Sequence, residues 1–155
     1  MKKVWLLIVP ISLMIIIFIL SSMPYEQQDI RPYLKETISL QDTPSFQFTY
    51  DGHVVSTAEP YDFIEFLIRK ASHVLGYFVL TIIWLVVLSK LISSVKLVVF
   101  LSFILSAGYA GLDEFHQSFT PGRTGHVIDV LAVDLPGVLL AILTFCLVRW
   151  RKSVR

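Results

Sequence analysis

Seven ionisable residues lie at the ends of apolar segments or just inside them, where a charged group needs a partner. They are Lys70, His73, Asp113, Glu114, His126, Asp129 and Asp134. Carboxylates and imidazoles in such places can transfer protons, pair with cations or hold a charged ligand. Arg123, in the turn sequence TPGR, adds a guanidinium suited to phosphate or carboxylate. These residue types indicate a polar site that the surrounding apolar segments must bring together.

Helical spacing places several of these residues on shared faces. Lys70, His73 and Tyr77 are separated by three and four residues and therefore lie on one face of a helix. Asp113 and Gln117 are four apart and share a face of the next segment. Each of these residues could instead cap a helix, snorkel or pack locally.

Asp134 is the residue that a purely structural role explains least, because acids inside a membrane segment are rare and face a protein interior. A regular helix turns by about 100° per residue, so Asp134 is rotated about 140° from Asp129. We therefore expect these two acids to point to different places unless the pocket wraps around their helix.

The composition predicts a membrane protein. Hydrophobic residues make up 55% of the 155 residues, and the mean hydropathy is +0.70, which excludes an ordinary water-soluble domain. Four apolar segments, 4–20, 63–89, 97–118 and 127–148, are long enough to span a bilayer as helices. We predict an all-α bundle of four transmembrane helices forming one domain over residues 1–155, with an outer loop at 21–62.

Basic residues predict the orientation of the bundle. Eight of the thirteen Lys and Arg residues lie before the first span, between the second and third, or after the fourth. By the positive-inside rule we expect both termini of this multi-pass membrane protein to be cytoplasmic. The net charge of +1 gives no reason to expect nucleic acid as a partner, and the single cysteine, Cys146, excludes a disulfide within the chain.

The outer loop contains a predicted β-hairpin. Phe46, Phe48 and Tyr50 alternate, and Asp51-Gly52 favours a two-residue turn of the primed type. The aromatic face is expected to lie against the membrane surface or the helix ends. Upstream, the sequence DIRPYLKETI predicts a short helix.

Two local patterns concern the helices themselves. Asp62 and Glu65 resemble a capping box, which predicts that the second helix begins at about Phe63. Gly108 and Gly111 are one turn apart and predict a close helix approach on the third span.

Metal binding is not expected from the spacing of possible ligands. His73, Glu114, His126 and Asp129 could together hold a divalent ion, but the chain has no H-E-x-x-H or similar ligand motif. The prediction is therefore that the protein has no metal and no cofactor.

Three separated motifs resemble the VanZ-like family of membrane proteins. They are SSMP at 21–24, KASHVLGYFVL at 70–80, and DEFHQSFTPGR at 113–123 followed by Asp129 and Gly137. The resemblance implies a small bacterial four-helix protein linked to low-level resistance to teicoplanin, a lipid-tailed glycopeptide. It also marks the site positions, which are Lys70, His73, Tyr77, Asp113, Glu114, Gln117, Arg123, Asp129 and Asp134.

Three functions stay open at this point. The preferred one is binding of a membrane lipid head group or a lipid-linked cell-wall precursor, with Lys70 and Arg123 as anion contacts. The second is an intramembrane hydrolase acting on a lipid phosphate, with Glu114, Asp113 or His73 as catalytic candidates. The third is proton-coupled transport through Asp134, for which four spans are few and a homo-oligomer would be needed.

Overall fold

The computed structural model describes residues 3–39, 44–123 and 125–153, and it contains the four predicted spans. The helices long and apolar enough to cross a membrane are Lys3–Ser21, Pro60–Ser89, Val95–Gln117 and Val127–Lys152. Two of their ends, Ser89 and Val127, coincide with the predicted ends, and the others differ by one to four residues. The all-helical, four-span fold with a small hairpin between the first two spans is thus confirmed.

The first span is apolar on all sides and is the least enclosed helix. It begins as a 3-10 turn, Lys3–Leu7, and continues as α1, Ile8–Ser21. Large apolar side chains such as Ile15, Ile16 and Phe18 are about half exposed. A helix without a polar face is stable in this position only where lipid replaces water as its surroundings.

The loop between the first and second spans is ordered by two short helices and a hairpin. The helices are α2, Tyr25–Gln28, and α3, Arg31–Thr37, and the second of them confirms the predicted short helix. Strands β1, Gln47–Tyr50, and β2, His53–Ser56, pair antiparallel, with Tyr50 opposite His53. Asp51 and Gly52 have φ values of 49° and 79°, as a primed turn of the first type requires.

The aromatic face of the hairpin packs on the second span. Phe46 meets Phe63 edge to face, with ring centroids 6.5 Å apart. Phe48 and Tyr50 both meet Phe66, at 5.9 and 5.3 Å. The hairpin therefore lies on a helix end, which was one of the two expected positions, and it marks one end of the bundle as the hairpin end.

The second span, α4, runs from Pro60 to Ser89 and is the most enclosed helix. The predicted capping box is wrong, because the N-cap is Glu59, which makes no side-chain cap bond, and Asp62 lies inside the first turn. Proline is favourable at the first helical position, where its missing N–H is not needed, and this explains the earlier start. Glu65 instead forms an ion pair with Arg69 at 2.8 Å.

Close helix approach occurs at a different glycine from those predicted. A Cβ atom added to Gly108 or Gly111 in the third span, α5 (Val95–Gln117), would have no neighbour within 4 Å, so that prediction is wrong. A Cβ atom on Gly137 would overlap the backbone carbonyl of Val74. The second and fourth spans therefore meet backbone to backbone at Gly137, as small residues permit in membranes.

The fourth span is irregular where it carries its two acids. It consists of α6, Val127–Asp129, a π turn, Val130–Asp134, and α7, Leu135–Ser153. The N–H of Leu135 donates to the carbonyl of Val130, one residue farther back than in an α-helix. Pro136 follows at once, and since proline lacks an N–H and crowds the preceding turn, it favours this widened geometry.

Candidate functional site

A polar cavity of about 240 Å³ lies under the hairpin, and we call it the polar chamber. Its walls come from the hairpin, from the second, third and fourth spans, and from the turn before the fourth span. The lining residues are Tyr50, Asp51, His53, Val55, Phe66, Arg69, Lys70, His73, Glu114, Gln117, Gly122, Arg123, His126, Asp129 and Val133. Six of the nine predicted site residues are among them.

One carboxylate ties the hairpin to two spans. Asp129 Oδ1 accepts hydrogen bonds from Lys70 Nζ and from the Tyr50 hydroxyl, both at 2.5 Å. The Lys70 ammonium also lies 4.8 Å from the centre of the Tyr50 ring. Burial, together with the adjacent Asp129 charge, raises the pKa of the Tyr50 hydroxyl well above its usual range. The Tyr50 hydroxyl therefore stays a hydrogen-bond donor at neutral pH.

A second cluster joins three spans deeper in the bundle. His73 Nδ1 lies 3.1 Å from Asp134 Oδ1 and 3.9 Å from Glu114 Oε1. Glu114 Oε2 also accepts the backbone N–H of His126 at 3.0 Å. Asp134 is completely buried and Glu114 is 4% exposed. Ligand atoms from the three side chains lie within 4.8 Å of one another, so these residues could hold a metal ion.

The expected separation of Asp129 and Asp134 is wrong. Asp129 contacts Lys70 and Asp134 contacts His73, and these two partners lie on one face of the second span. The angle of about 140° assumed a regular α-helix, whereas a π turn holds about one residue more. Residues five apart across such a turn come back close to one face of the helix.

A second, apolar cavity of about 400 Å³ lies between the first and second spans, and we call it the lipid-side cavity. The first span contributes an apolar wall, and the loop and second span contribute a polar end. Its lining residues are Leu13, Ile16, Ile17, Leu20, Ser21, Tyr25, Gln28, Ile30, Glu65, Ile68, Arg69, Ser72, His73, Gly76, Tyr77, Asp113 and Arg123. It brings in Tyr77 and Asp113, which the polar chamber lacks.

The two cavities share Arg69, His73 and Arg123. Arg69 is paired with Glu65, whereas the Arg123 guanidinium donates to the Gln117 side-chain oxygen at 3.3 Å. Within the described ranges no carboxylate lies within 4 Å of the Arg123 guanidinium, and its Nε is buried without a partner. Burial lowers the pKa of the Arg123 guanidinium, and the nearby Arg69 charge acts in the same direction.

The wall next to Arg123 is fixed by a short chain of hydrogen bonds. Gln117 Nε2 donates to Asp113 Oδ2 at 3.0 Å and to the Ser21 hydroxyl at 3.4 Å. The Arg123 N–H donates to the Thr120 carbonyl at 3.1 Å, which confirms the predicted TPGR turn. The turn and the SSMP segment thus place Arg123 at the border of both cavities.

Eight of the nine predicted site residues line one of the two cavities, and the ninth, Asp134, contacts His73, but sequence reasoning missed several of their neighbours. Arg69 was not among the predicted site residues, although it lines both cavities. Tyr25 donates to Glu65 Oε2 at 3.3 Å and lies under the Arg69 guanidinium at 4.9 Å. The spacing of Glu65 and Arg69 by four residues was the available signal. Nothing in the local sequence links Tyr50 to Asp129.

His126 was a metal-ligand candidate together with Asp129, but in the structure its ring pairs with the carboxylate of Asp51 in the hairpin turn. It lines the polar chamber without joining the cluster of His73, Glu114 and Asp134. The four residues weighed from the sequence as a metal set therefore differ from the three that the fold brings together.

The comparison with protein families gives a match over nearly the whole chain. The matching model is described as VanZ/LLP1 and covers residues 6–149, which include most of each of the four spans and the lining residues of both cavities. Searches of the curated proteins and of the solved structures give no match. The chain is therefore a membrane protein that belongs to the VanZ/LLP1 family.

Proposed function

We propose that this protein binds the anionic head group of a lipid, or of a lipid-linked cell-wall precursor, at the outer leaflet of the bacterial plasma membrane. The observation that carries the proposal is the junction of the two cavities at Arg69, His73 and Arg123. An apolar cavity that adjoins a polar chamber matches a molecule with an apolar tail and a charged head.

Arg123 is the residue best suited to contact the head group. Its guanidinium is half-buried and has no carboxylate partner in the described part of the chain. Guanidinium groups bind phosphate and carboxylate in two-point geometry. A bound anion would offset the desolvation that burial imposes on this cation. Lys70, the other expected anion contact, is already paired with Asp129, which makes it a weaker candidate.

The hairpin acts as a cover in this proposal. Its aromatic face rests on Phe63 and Phe66, and the Tyr50 hydroxyl reaches Asp129 inside the chamber. By the positive-inside rule we expect the hairpin to lie outside the cell, because the basic residues concentrate at the opposite end of the bundle. The ligand would therefore enter from the outer leaflet.

Native mass spectrometry of gently extracted protein tests the binding proposal. Wild-type protein in micelles doped with phosphatidylglycerol or undecaprenyl phosphate is expected to retain one intact lipid. Arg123→Ala is expected to reduce the retained fraction at least about tenfold, since a charge-assisted contact contributes about 1.5–3 kcal/mol. Phosphatidylcholine serves as the lipid without net charge.

Arg151→Ala is the matched control, because Arg151 is an exposed cation near the end of the fourth span and lines neither cavity. Equal lipid retention by wild type and Arg123→Ala would contradict the proposal.

Hydrolysis of a lipid phosphate is the second candidate, favoured by the hydrogen bond between His73 and Asp134. In the same spectra hydrolysis would appear as a shortened lipid product in wild type that disappears in Glu114→Gln.

The cellular role proposed from the family resemblance is reduced sensitivity to a lipid-tailed glycopeptide. A protein with a lipid-side cavity would affect an antibiotic that is anchored by an acyl chain more than one that is not. Expression of this chain is expected to raise the inhibitory concentration of teicoplanin more than that of vancomycin, as growth assays would measure. Equal changes in inhibitory concentration for both drugs would contradict this cellular role but would not contradict the lipid-binding proposal.

A further inference from the structure

His73, Glu114 and Asp134 have the spacing of metal ligands. Bonds of about 2.0–2.1 Å in a tetrahedral site place neighbouring ligand atoms about 3.4 Å apart. Here the His73 ring nitrogen lies 3.1 Å from Asp134 and 3.9 Å from Glu114, and all three ligand atoms fall within 4.8 Å. Small side-chain movements would bring all three ligand atoms within bonding distance of one metal ion.

The charges of this cluster are not balanced by their protein neighbours. Two deeply buried carboxylates face one imidazole, and Lys70, the cation on the same helix face, is paired with Asp129. The second oxygen of Asp134, Oδ2, is buried and has no hydrogen-bond partner within the described ranges. An uncompensated buried carboxylate costs several kcal/mol, so an additional positive charge would stabilise this arrangement.

We propose that His73, Glu114 and Asp134 bind one divalent transition-metal ion, with zinc as the best fit. An imidazole together with carboxylates suits zinc, whereas magnesium prefers oxygen ligands and retains water. Three protein ligands leave a fourth coordination position, as in zinc sites that bind a water or a substrate. The backbone N–H of His126 orients Glu114 by hydrogen-bonding its other oxygen, which is the kind of outer contact that metal-bound carboxylates have.

This site is separate from the head-group contact at Arg123, although His73 lines both cavities. It does not depend on lipid binding, and its first readout is metal content.

Zinc titration of the full chain in detergent tests the proposal. The protein would carry a cleavable tag free of histidine and would be stripped with chelator before zinc is added. Wild type is expected to bind about one zinc per chain, measured by calorimetry and elemental analysis, and excess magnesium is not expected to displace it. Glu114→Gln and Asp134→Asn should each weaken zinc binding by at least about tenfold.

His116→Gln is the matched control, because His116 stacks on Phe18 and hydrogen-bonds to Ser22, away from the cluster. It should bind zinc as wild type does. A second control, His126→Gln, removes the nearby ion pair between His126 and Asp51. This variant should also bind zinc as wild type does. Zinc binding that survives both cluster substitutions, or that is lost in a control, would overturn the assignment.

A measurement on wild-type protein alone tests the metal site without depending on whether the substituted variants fold. Cobalt(II) is expected to give the visible absorption of a tetrahedral site with nitrogen and oxygen ligands, and zinc should abolish it. Zinc should also raise the thermal midpoint, because a ligand that binds only the folded state stabilises it. Wild type with no cobalt spectrum and no zinc-dependent midpoint would show that the His73 cluster is an ion pair rather than a metal site.

Discussion

The polar chamber and the lipid-side cavity share three lining residues, yet different forces hold their walls together. In the polar chamber, Asp129 joins the hairpin and the second span to the fourth. In the lipid-side cavity, the first span contributes apolar side chains, and one of its few polar links is the bond from the Tyr109 hydroxyl to the Met14 carbonyl, at 2.5 Å.

This difference separates a preorganised region from an adaptable one. Hydrogen bonds and ion pairs are directional, so they fix the positions of the polar side chains before a ligand arrives. Apolar contacts are non-directional, so a wall built from them can shift to admit chains of different length. In the proposed function, a head group would be recognised in the polar chamber, and the lipid-side cavity would accept a range of tails.

Removing Asp129 is expected to have the largest effect, because it breaks the polar chamber and not the lipid-side cavity. In Asp129→Ala the Lys70 ammonium, whose side chain is only 22% exposed, loses its partner, and the Tyr50 hydroxyl loses its acceptor. Breaking one side of a buried ion pair costs about 3–5 kcal/mol of folding free energy. The denaturation midpoint in a graded detergent series measures the loss.

Asp62→Ala supplies the exposed comparison for Asp129→Ala. The Asp62 side chain is 55% exposed, and its partner Arg31 keeps Asp29. Exposed pairs contribute about 0–1 kcal/mol, so this variant should stay close to wild type. Similar losses in the two variants would mean that the polar chamber is no better protected from solvent than the loop.

Gly137→Ala is the next largest expected effect, since it forces apart the second and fourth spans, two of the three that form the chamber. The new Cβ atom would overlap the Val74 carbonyl, and backbone cannot move aside as a side-chain end can. Overpacking of this kind costs about 1–3 kcal/mol. Gly108→Ala is the matched control, because its Cβ atom would meet nothing within 4 Å. If Gly137→Ala has the same thermal midpoint as the control, the second and fourth spans can move apart at this point without loss of stability.

The spans and the hairpin could be predicted because each depends on local pattern. The length of the apolar segments predicts the helices, and the alternating aromatic residues before Asp51-Gly52 predict the hairpin. The gathering of Lys70, His73, Glu114, Asp129 and Asp134 from three helices also followed from their depth along those helices. Which glycine sits at a close approach did not follow, because Gly137 is tight only through Val74, a residue of another span.

The geometry inside the site was harder to predict from the sequence than the spans were, for a specific reason. The angle between Asp129 and Asp134 was derived from a regular α-helix, whereas the structure has a π turn, Val130–Asp134, before Pro136. Pro136 was visible in the sequence, but the direction in which it would distort the helix was not. The lipid-side cavity was missed because apolar residues on the first span look alike, and nothing in them shows which side faces the second span.

The smallest expected effect concerns the rim of the lipid-side cavity, where a loop contact depends on pH. Asp29 accepts hydrogen bonds from the Arg31 side chain and backbone, which lower its pKa to about 2. Arg31 also donates to Asp62 on the second span, at 3.2 Å, and so holds the loop at the cavity. Since the folded pKa lies below the unfolded value of 3.8, the contribution of Asp29 is present above about pH 4 and is lost as the pH falls toward about 2.

Asp29→Asn should therefore lower the unfolding midpoint by a small, constant amount above about pH 4, and the difference from wild type should vanish near pH 2. Glu26→Gln, an exposed acid in the same loop, is the comparison that should not show this convergence. Because exposed pairs are screened by salt, the difference should also shrink in concentrated salt. A difference between wild type and Asp29→Asn that persists unchanged to pH 2 would mean that the carboxylate charge does not hold this rim, and that the lipid-side cavity relies on apolar packing there as well.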